Sequence, residues 1–194
     1  MKEETLILDR PMTVEEYIEF EERSEVRHEM INQQLFEMPG ATTFHNLICH
    51  NIYFIIRQLL KGKACKIFVE GVKVQVSENR DYLYPDLMVT CDERDAHSKY
   101  IIKFPSVIFE VISKNSRVYD TVDKFILYKN IESLKNYVLV DSEKCFVEVR
   151  ERLENGDWEA TTYFLEDEKL PVPALALALS FSAIYEETGL LKEA

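Results

Sequence analysis

The pattern of polar and apolar positions marks the elements of this chain before any motif does. Val107-Ile108-Phe109-Glu110-Val111-Ile112 is apolar at every position but one. Alternation puts Val107, Phe109 and Val111 on one face and Ile108, Glu110 and Ile112 on the other. Both faces therefore call for cover, as in a strand at the centre of an α/β core. The Glu110 carboxylate then lies away from water and must be protonated, paired or bound to a metal, because burying it unpaired costs many kcal/mol. Ser113 to Ser116 reads as a polar loop, followed by a helix on which Asp120, Lys124 and Tyr128 recur every four residues and share a face. A strand carboxylate and a helix lysine set close together suggest a site.

The other elements follow from the same kind of pattern. Residues 1–10 lack periodicity and read as an extended lead-in. Thr13-Val14-Glu15-Glu16 is a capping box that opens a helix ending near Ser24. Arg27 to Met38 reads as a hairpin turning at Asn32-Gln33-Gln34, with Glu29 in its first strand and Glu37 in its second. Between Ala41 and Lys61 a broad stripe, Leu47, Ile48, Ile52, Ile55, Ile56, Leu59 and Leu60, predicts a long helix stopped by Gly62. Short strands over 66–70 and 72–76 are joined tightly at Gly71, and Tyr84 to Thr90 forms another, with Pro85 near its start where a missing donor is tolerated. Strands are expected at 136–141, 144–152 and 158–165, the last two as an antiparallel pair around 154–157. Pro171 and Pro173 break the chain before a short closing helix near 182–187. With no repeat, linker or low-complexity segment, the chain reads as one domain over residues 1–194, of α/β (α+β) class.

Composition narrows the possibilities. The 46% hydrophobic and 30% charged content is that of an ordinary globular protein. No window approaches a membrane span and no signal peptide opens the chain, so a cytoplasmic location is expected and no membrane partner. The net charge of −12 weighs against a bulk electrostatic binder of nucleic acid, though a bound divalent ion would bring positive charge of its own. The four cysteines, Cys49, Cys65, Cys91 and Cys145, form no C-x-x-C pair and read as isolated small core residues.

Dinucleotide and P-loop glycine motifs, the G-x-S-x-G elbow and H-E-x-x-H are all absent. His45 and His50 are five apart, not the i,i+4 spacing of a helical zinc pair. What remains is a set of carboxylates with a lysine. Their order is His28-Glu29-Met30-Ile31, His45 at the start of the long helix, Tyr-Pro-Asp (84–86), Phe-Glu-Val-Ile-Ser (109–113), Asp-x-x-x-Lys-x-x-x-Tyr (120–128) and Tyr-Val-Leu-Val-Asp (137–141). This resembles the Uma-type restriction endonuclease family, a branch of the PD-(D/E)XK nuclease superfamily, from about Met12 to about Glu186.

The resemblance implies a restriction-endonuclease-like core, a central mixed sheet flanked by helices, with the N-terminal helix and hairpin added to it. It also implies hydrolysis of DNA phosphodiesters that depends on Mg²⁺ or Mn²⁺. Asp86 matches the first metal carboxylate and Glu110 the second. The superfamily's usual lysine position is Ile112 here, and the resemblance implies that Lys124 on the next helix replaces it. Thr121-Val122 stands where the family often has Arg-Gly, and Asn32-Gln33 where it commonly has Asp-Gly. The donor chemistry agrees, since Mg²⁺ takes oxygen ligands, commonly one or two carboxylates with water. Glu29 could complete the metal shell directly or through water, and His45 reads as a helix cap or an outer partner of a ligand. Bland roles stay open for each residue: a turn aspartate at Asp86, a structural ion pair of Glu110 with Lys124, an i,i+4 bridge of Lys124 to Asp120, a solvated strand position at Glu29, simple packing at Tyr128. Glu70 is a weaker site candidate. A homodimer is expected, because cutting both strands of a duplex calls for two sites. The competing reading is a non-catalytic nucleic-acid-binding or regulatory module that keeps the nuclease fold.

Overall fold

The computed structural model describes residues 10–192, so nearly all of the expected lead-in lies outside the described residues. Helix α1, Val14–Arg23, opens with the capping box: Glu16 N–H donates to the Thr13 hydroxyl at 3.2 Å, and the Glu16 carboxylate accepts from Thr13 N–H at 2.9 Å. Its Tyr17 is fully buried and donates to the His28 carbonyl at 2.7 Å, locking α1 onto the hairpin. Thr13→Ala is expected to cost about 1 kcal/mol, read as a lower midpoint in thermal denaturation. Strands β1, His28–Ile31, and β2, Gln34–Glu37, form the hairpin. Asn32 and Gln33 both take positive φ, 56° and 64°, as a two-residue turn of matching twist requires. Helix α2, Thr43–Leu59, starts at an N-cap, Thr42, and buries Ile48, Ile52 and Ile56.

The chain then lays down β3 (Lys66–Val69), β4 (Lys73–Ser77), β5 (Asp81–Leu83), β6 (Leu87–Thr90), β7 (Ile101–Ile102) and β8 (Val107–Ile112). A π-helical turn, Tyr119–Lys124, runs into α3, Phe125–Tyr128. Strands β9 (Asn136–Asp141), β10 (Phe146–Arg152), β11 (Trp158–Phe164), β12 (Lys169–Val172) and β13 (Leu177–Ser180) follow, and α4 (Phe181–Ile184) comes near the end. The main sheet is six-stranded, in the order β11-β10-β9-β8-β6-β3. It is mixed: β8 runs parallel to β9 and antiparallel to β6. A five-stranded sheet, β2-β1-β5-β4-β7, lies beside it.

Strand β8 is buried along its whole length, and the alternation sorts its side chains as expected. Val107, Phe109 and Val111 join one core with α2, α4 and the β12–β13 pair. Ile108 and Ile112 join another with Val74, Leu83, Tyr128 and Tyr137. Glu110 is the charged residue in a layer that is otherwise apolar. Among the described residues no helix is long and apolar enough to cross a membrane.

The strands on either side of Gly71 are tightly joined, as expected, and enter different sheets, β3 the six-stranded one and β4 the five-stranded one. Glu70 and Gly71, at φ 42° and 70°, turn the chain from one sheet into the other. One expectation needs correction, that of the cysteines, which are not all isolated thiols. Cys65 and Cys91 form a disulfide, whereas Cys49 and Cys145 are free. The reason is register: Lys66 pairs with Thr90 at the end of the β3–β6 ladder, which sets the next two residues opposite each other.

Candidate active site

The β6–β8 ladder builds the site. Leu87 pairs with Phe109, so Asp86, one residue before β6, reaches the ladder end beside Glu110 and Val111. The Asp86 carboxylate accepts from the Val111 N–H at 2.7 Å and meets His45 Nε2 at 3.1 Å. The π turn and α3 bring Lys124 over the same strand end. Its Nζ lies 3.1 Å from Glu110 Oε1, 3.5 Å from Glu29 Oε1 and 3.6 Å from Asp120 Oδ1. Tyr128 packs in the core and also donates its hydroxyl to Glu110 Oε1 at 2.9 Å. Glu29 accepts from Tyr84 N–H at 2.9 Å on one oxygen and from the Tyr119 hydroxyl at 2.6 Å on the other. The π turn accounts for that pairing, since i→i+5 closure brings residues five apart, Tyr119 and Lys124, onto one side.

Glu29, His45, Asp86, Glu110, Asp120 and Lys124 all line one cleft of about 560 Å³. The five residues put forward for the site, Glu29, His45, Asp86, Glu110 and Lys124, are therefore in one place, with Asp120 beside them. Glu29 is buried rather than solvated, and each of its oxygens accepts a hydrogen bond from the protein. Of the two roles expected of His45 it takes the second: Thr42, not His45, caps the helix, accepting from the His45 N–H, while the His45 ring holds Asp86. Asp120 and the three tyrosines, 84, 119 and 128, were not read as site residues. The i,i+4 spacing of Asp120, Lys124 and Tyr128 carried a signal for two of them; nothing local marked Tyr84 or Tyr119.

The charges do not balance within the protein. Four carboxylates, Glu29, Asp86, Glu110 and Asp120, face Lys124 and His45. With Glu37 and Glu70 the cleft lining has six carboxylates against Arg27, Lys124 and His45, so with every group ionised negative charge is in excess. Burial pushes Glu110 well above the usual carboxylate range; Lys124 opposes this, and Asp86, Asp120 and Glu29 reinforce it. Burial likewise raises Asp120, again against Lys124. Burial also works against the charge of Asp86, yet the hydrogen bond and charge of His45, with Lys124 and the Val111 N–H, hold its pKa down. The ammonium of Lys124 is disfavoured by burial, but Glu110 and Glu29 carry its pKa well above normal. His45 moves up through Asp86 despite burial. A divalent cation would absorb the surplus, and the oxygen donors of Asp86 and Glu110 suit a hard ion such as Mg²⁺ or Mn²⁺. A softer set also exists, with ligand atoms of His45, Cys49 and Asp86 within 4.8 Å of one another. Cys49, however, is fully buried outside the cleft lining, and burial raises its thiol pKa far from the thiolate that a metal needs. The fit is to the carboxylate pair.

Comparison with known proteins gives the family and the fold. A family model described as "Uma2: Putative restriction endonuclease" matches residues 14–183. The uncharacterized protein slr1290 of Synechocystis sp. is 31% identical over 174 residues, covering 90% of this chain and 91% of that protein. A second uncharacterized Synechocystis protein, sll1609, is 27% identical over 161 residues, 82% of this chain and 91% of its own length. In three dimensions the chain is similar to the crystal structure of a putative nuclease belonging to DUF820 from Anabaena variabilis. That match has a TM-score of 0.74 at 17% identity and covers 92% of this chain and 99% of the other. At that identity the likeness speaks for the fold.

Proposed function

The chain belongs to this Uma2 family of restriction-endonuclease-like proteins, and from that premise we propose that it is a divalent-metal-dependent endonuclease hydrolysing DNA phosphodiester bonds. The observation that carries the reading is the convergence of Asp86, Glu110 and Lys124 at one strand end in an open cleft, with more negative charge than the protein itself neutralises.

Asp86 and Glu110 would hold Mg²⁺ or Mn²⁺, which when bound supplies positive charge to the scissile phosphate and makes a coordinated water more acidic. The remaining work falls to the side chains. His45 and the Val111 N–H fix the Asp86 carboxylate, leaving little rotational freedom. Lys124 and Tyr128 both bind one oxygen of Glu110, which fixes that carboxylate too. Lys124 stays protonated, because its acidic surroundings raise its pKa. It therefore acts as a positive hydrogen-bond donor to the attacking water or to the charge growing on the phosphate, a preorganised group of the kind that lowers barriers most. Glu29 and Asp120 hold the ammonium in place.

The test is nicking of supercoiled plasmid in Mg²⁺ or Mn²⁺, comparing wild type with Asp86→Ala. Metal-dependent nicking by wild type and none above background by the folded variant is expected. Equal nicking by both would trace the activity to a contaminant. Two folded proteins that leave the plasmid intact across metals and pH would make the non-catalytic nucleic-acid-binding module the better reading.

A further inference from the structure

Strand β11 ends the six-stranded sheet, and among the described residues no strand pairs with its outer edge. Natural sheets blunt such edges with lysine, proline, bulges or short length. β11 uses none of these devices. It runs Trp158-Glu159-Ala160-Thr161-Thr162-Tyr163-Phe164 in unbroken register with β10, and its one charged residue is Glu159. Threonine and aromatic residues, which favour pleated surfaces, fill most of it.

A second feature borders this edge. Val118, Val122 and Ile126 recur at i, i+4 and i+8, the spacing of a face that normally meets a core. Here they are 71%, 47% and 50% exposed. Phe125, next to Ile126, meets Trp158 of β11 edge-on at 5.2 Å between centroids, and Arg150 of β10 donates to the Thr121 carbonyl at 2.7 Å. The helical segment bearing the stripe thus lies over the β10–β11 end of the sheet. Ala160 pairs with Arg150, and Thr162 with Glu148 two residues on, so both side chains point to the face this helix covers. Both are small and exposed.

We propose that β11 pairs with β11 of a second copy of this chain across a two-fold axis, joining two sheets into one. Antiparallel pairing about Thr161 engages all seven residues of each copy. It sets Trp158 against Phe164 of the second copy, Glu159 against Tyr163, and Ala160 against Thr162. Aromatic meets aromatic and no like charges face each other, which matters for a chain of net charge −12. The surface is self-complementary, as an isologous contact requires. The apolar stripes of the two copies approach each other above the small residues Ala160 and Thr162, which leave room for them.

Sedimentation equilibrium on the full chain tests this, with circular dichroism as the check on folding. Wild type is expected at twice its mass of 22.8 kDa. The Ala160→Lys, Thr162→Lys variant sets lysine against lysine and is expected at the monomer mass, as is Val122→Glu, Ile126→Glu. Mixing the lysine variant with Ala160→Glu, Thr162→Glu restores a one-to-one dimer, because residue 160 of one copy faces residue 162 of the other. A wild type that stays monomeric at about 100 μM, beyond the range in which standard interfaces associate, overturns the proposal. So does a dimer that survives either pair of substitutions, or a lysine–glutamate mixture that remains monomeric.

Discussion

Replacing Lys124 by methionine is expected to destabilise the protein by about 3–5 kcal/mol at pH 8, the cost of removing one partner from a buried ion network. Methionine keeps much of the apolar stem, so lost packing is a small part of the effect. What goes is the one ammonium shared by Glu110, Glu29 and Asp120, all less than a tenth exposed. The pH dependence identifies the cause. Burial already holds Glu110 and Asp120 above the usual carboxylate range while Lys124 pulls them down, so without the lysine they rise further. A carboxylate whose folded pKa is raised costs no stability below its unfolded pKa, about 4. Its cost grows as pH climbs toward the folded value. The variant should therefore recover part of its loss between pH 8 and pH 5. In wild type the raised ammonium contributes stability that is complete below the ordinary lysine pKa of about 10.4 and fades only as pH rises beyond it. Urea unfolding at pH 5 and pH 8 measures both effects. A loss under about 1 kcal/mol at both pH values, the level of a surface pair, would mean that Lys124 does not hold the cluster together.

How much of this was legible in the sequence depends on the range of the interaction. The capping box at Thr13, the turn at Asn32-Gln33, the stripe of α2 and the two-faced alternation of β8 are local patterns, and each element forms where its pattern lies. The alternation also located a buried carboxylate at Glu110, and the four-residue spacing put Asp120, Lys124 and Tyr128 on its side. Features set by pairing between distant segments were not legible. Nothing near Gly71 says that its two strands enter different sheets. The β12–β13 pair was missed because Pro171 read as a breaker; it is tolerated in a two-stranded ladder, where one side of each strand needs no partner. The Cys65–Cys91 bond needed the β3–β6 register, and the hold of Tyr84 and Tyr119 on Glu29 spans 55 and 90 residues of chain.

Glu110→Gln is expected to separate stability from activity. Burial makes the charged form of the wild-type carboxylate costly and raises its pKa well above the usual carboxylate range, with Lys124 opposing. The amide has the same shape and no charge. Its oxygen can still accept from Tyr128, and Lys124 keeps Glu29 and Asp120 as partners. Stability at pH 8 should therefore hold or increase by on the order of 1 kcal/mol, as replacing one member of a costly buried ionic cluster by a neutral group can do. The sign is again fixed by linkage. Because the folded pKa of Glu110 is raised, its cost is absent below the unfolded value and full above the folded one, so the variant's advantage should shrink to nothing as pH falls toward 4. Metal-dependent cleavage should fall by more than the roughly 10–100-fold that loss of an outer partner of a metal ligand costs. A variant at least as stable as wild type and unable to cut would show that this carboxylate is kept for chemistry, in the manner of active sites that hold charge at the expense of the fold. A variant that loses stability yet cleaves at the wild-type rate would instead make Glu110 a structural partner of Lys124 and leave Asp86 to bind the metal without it.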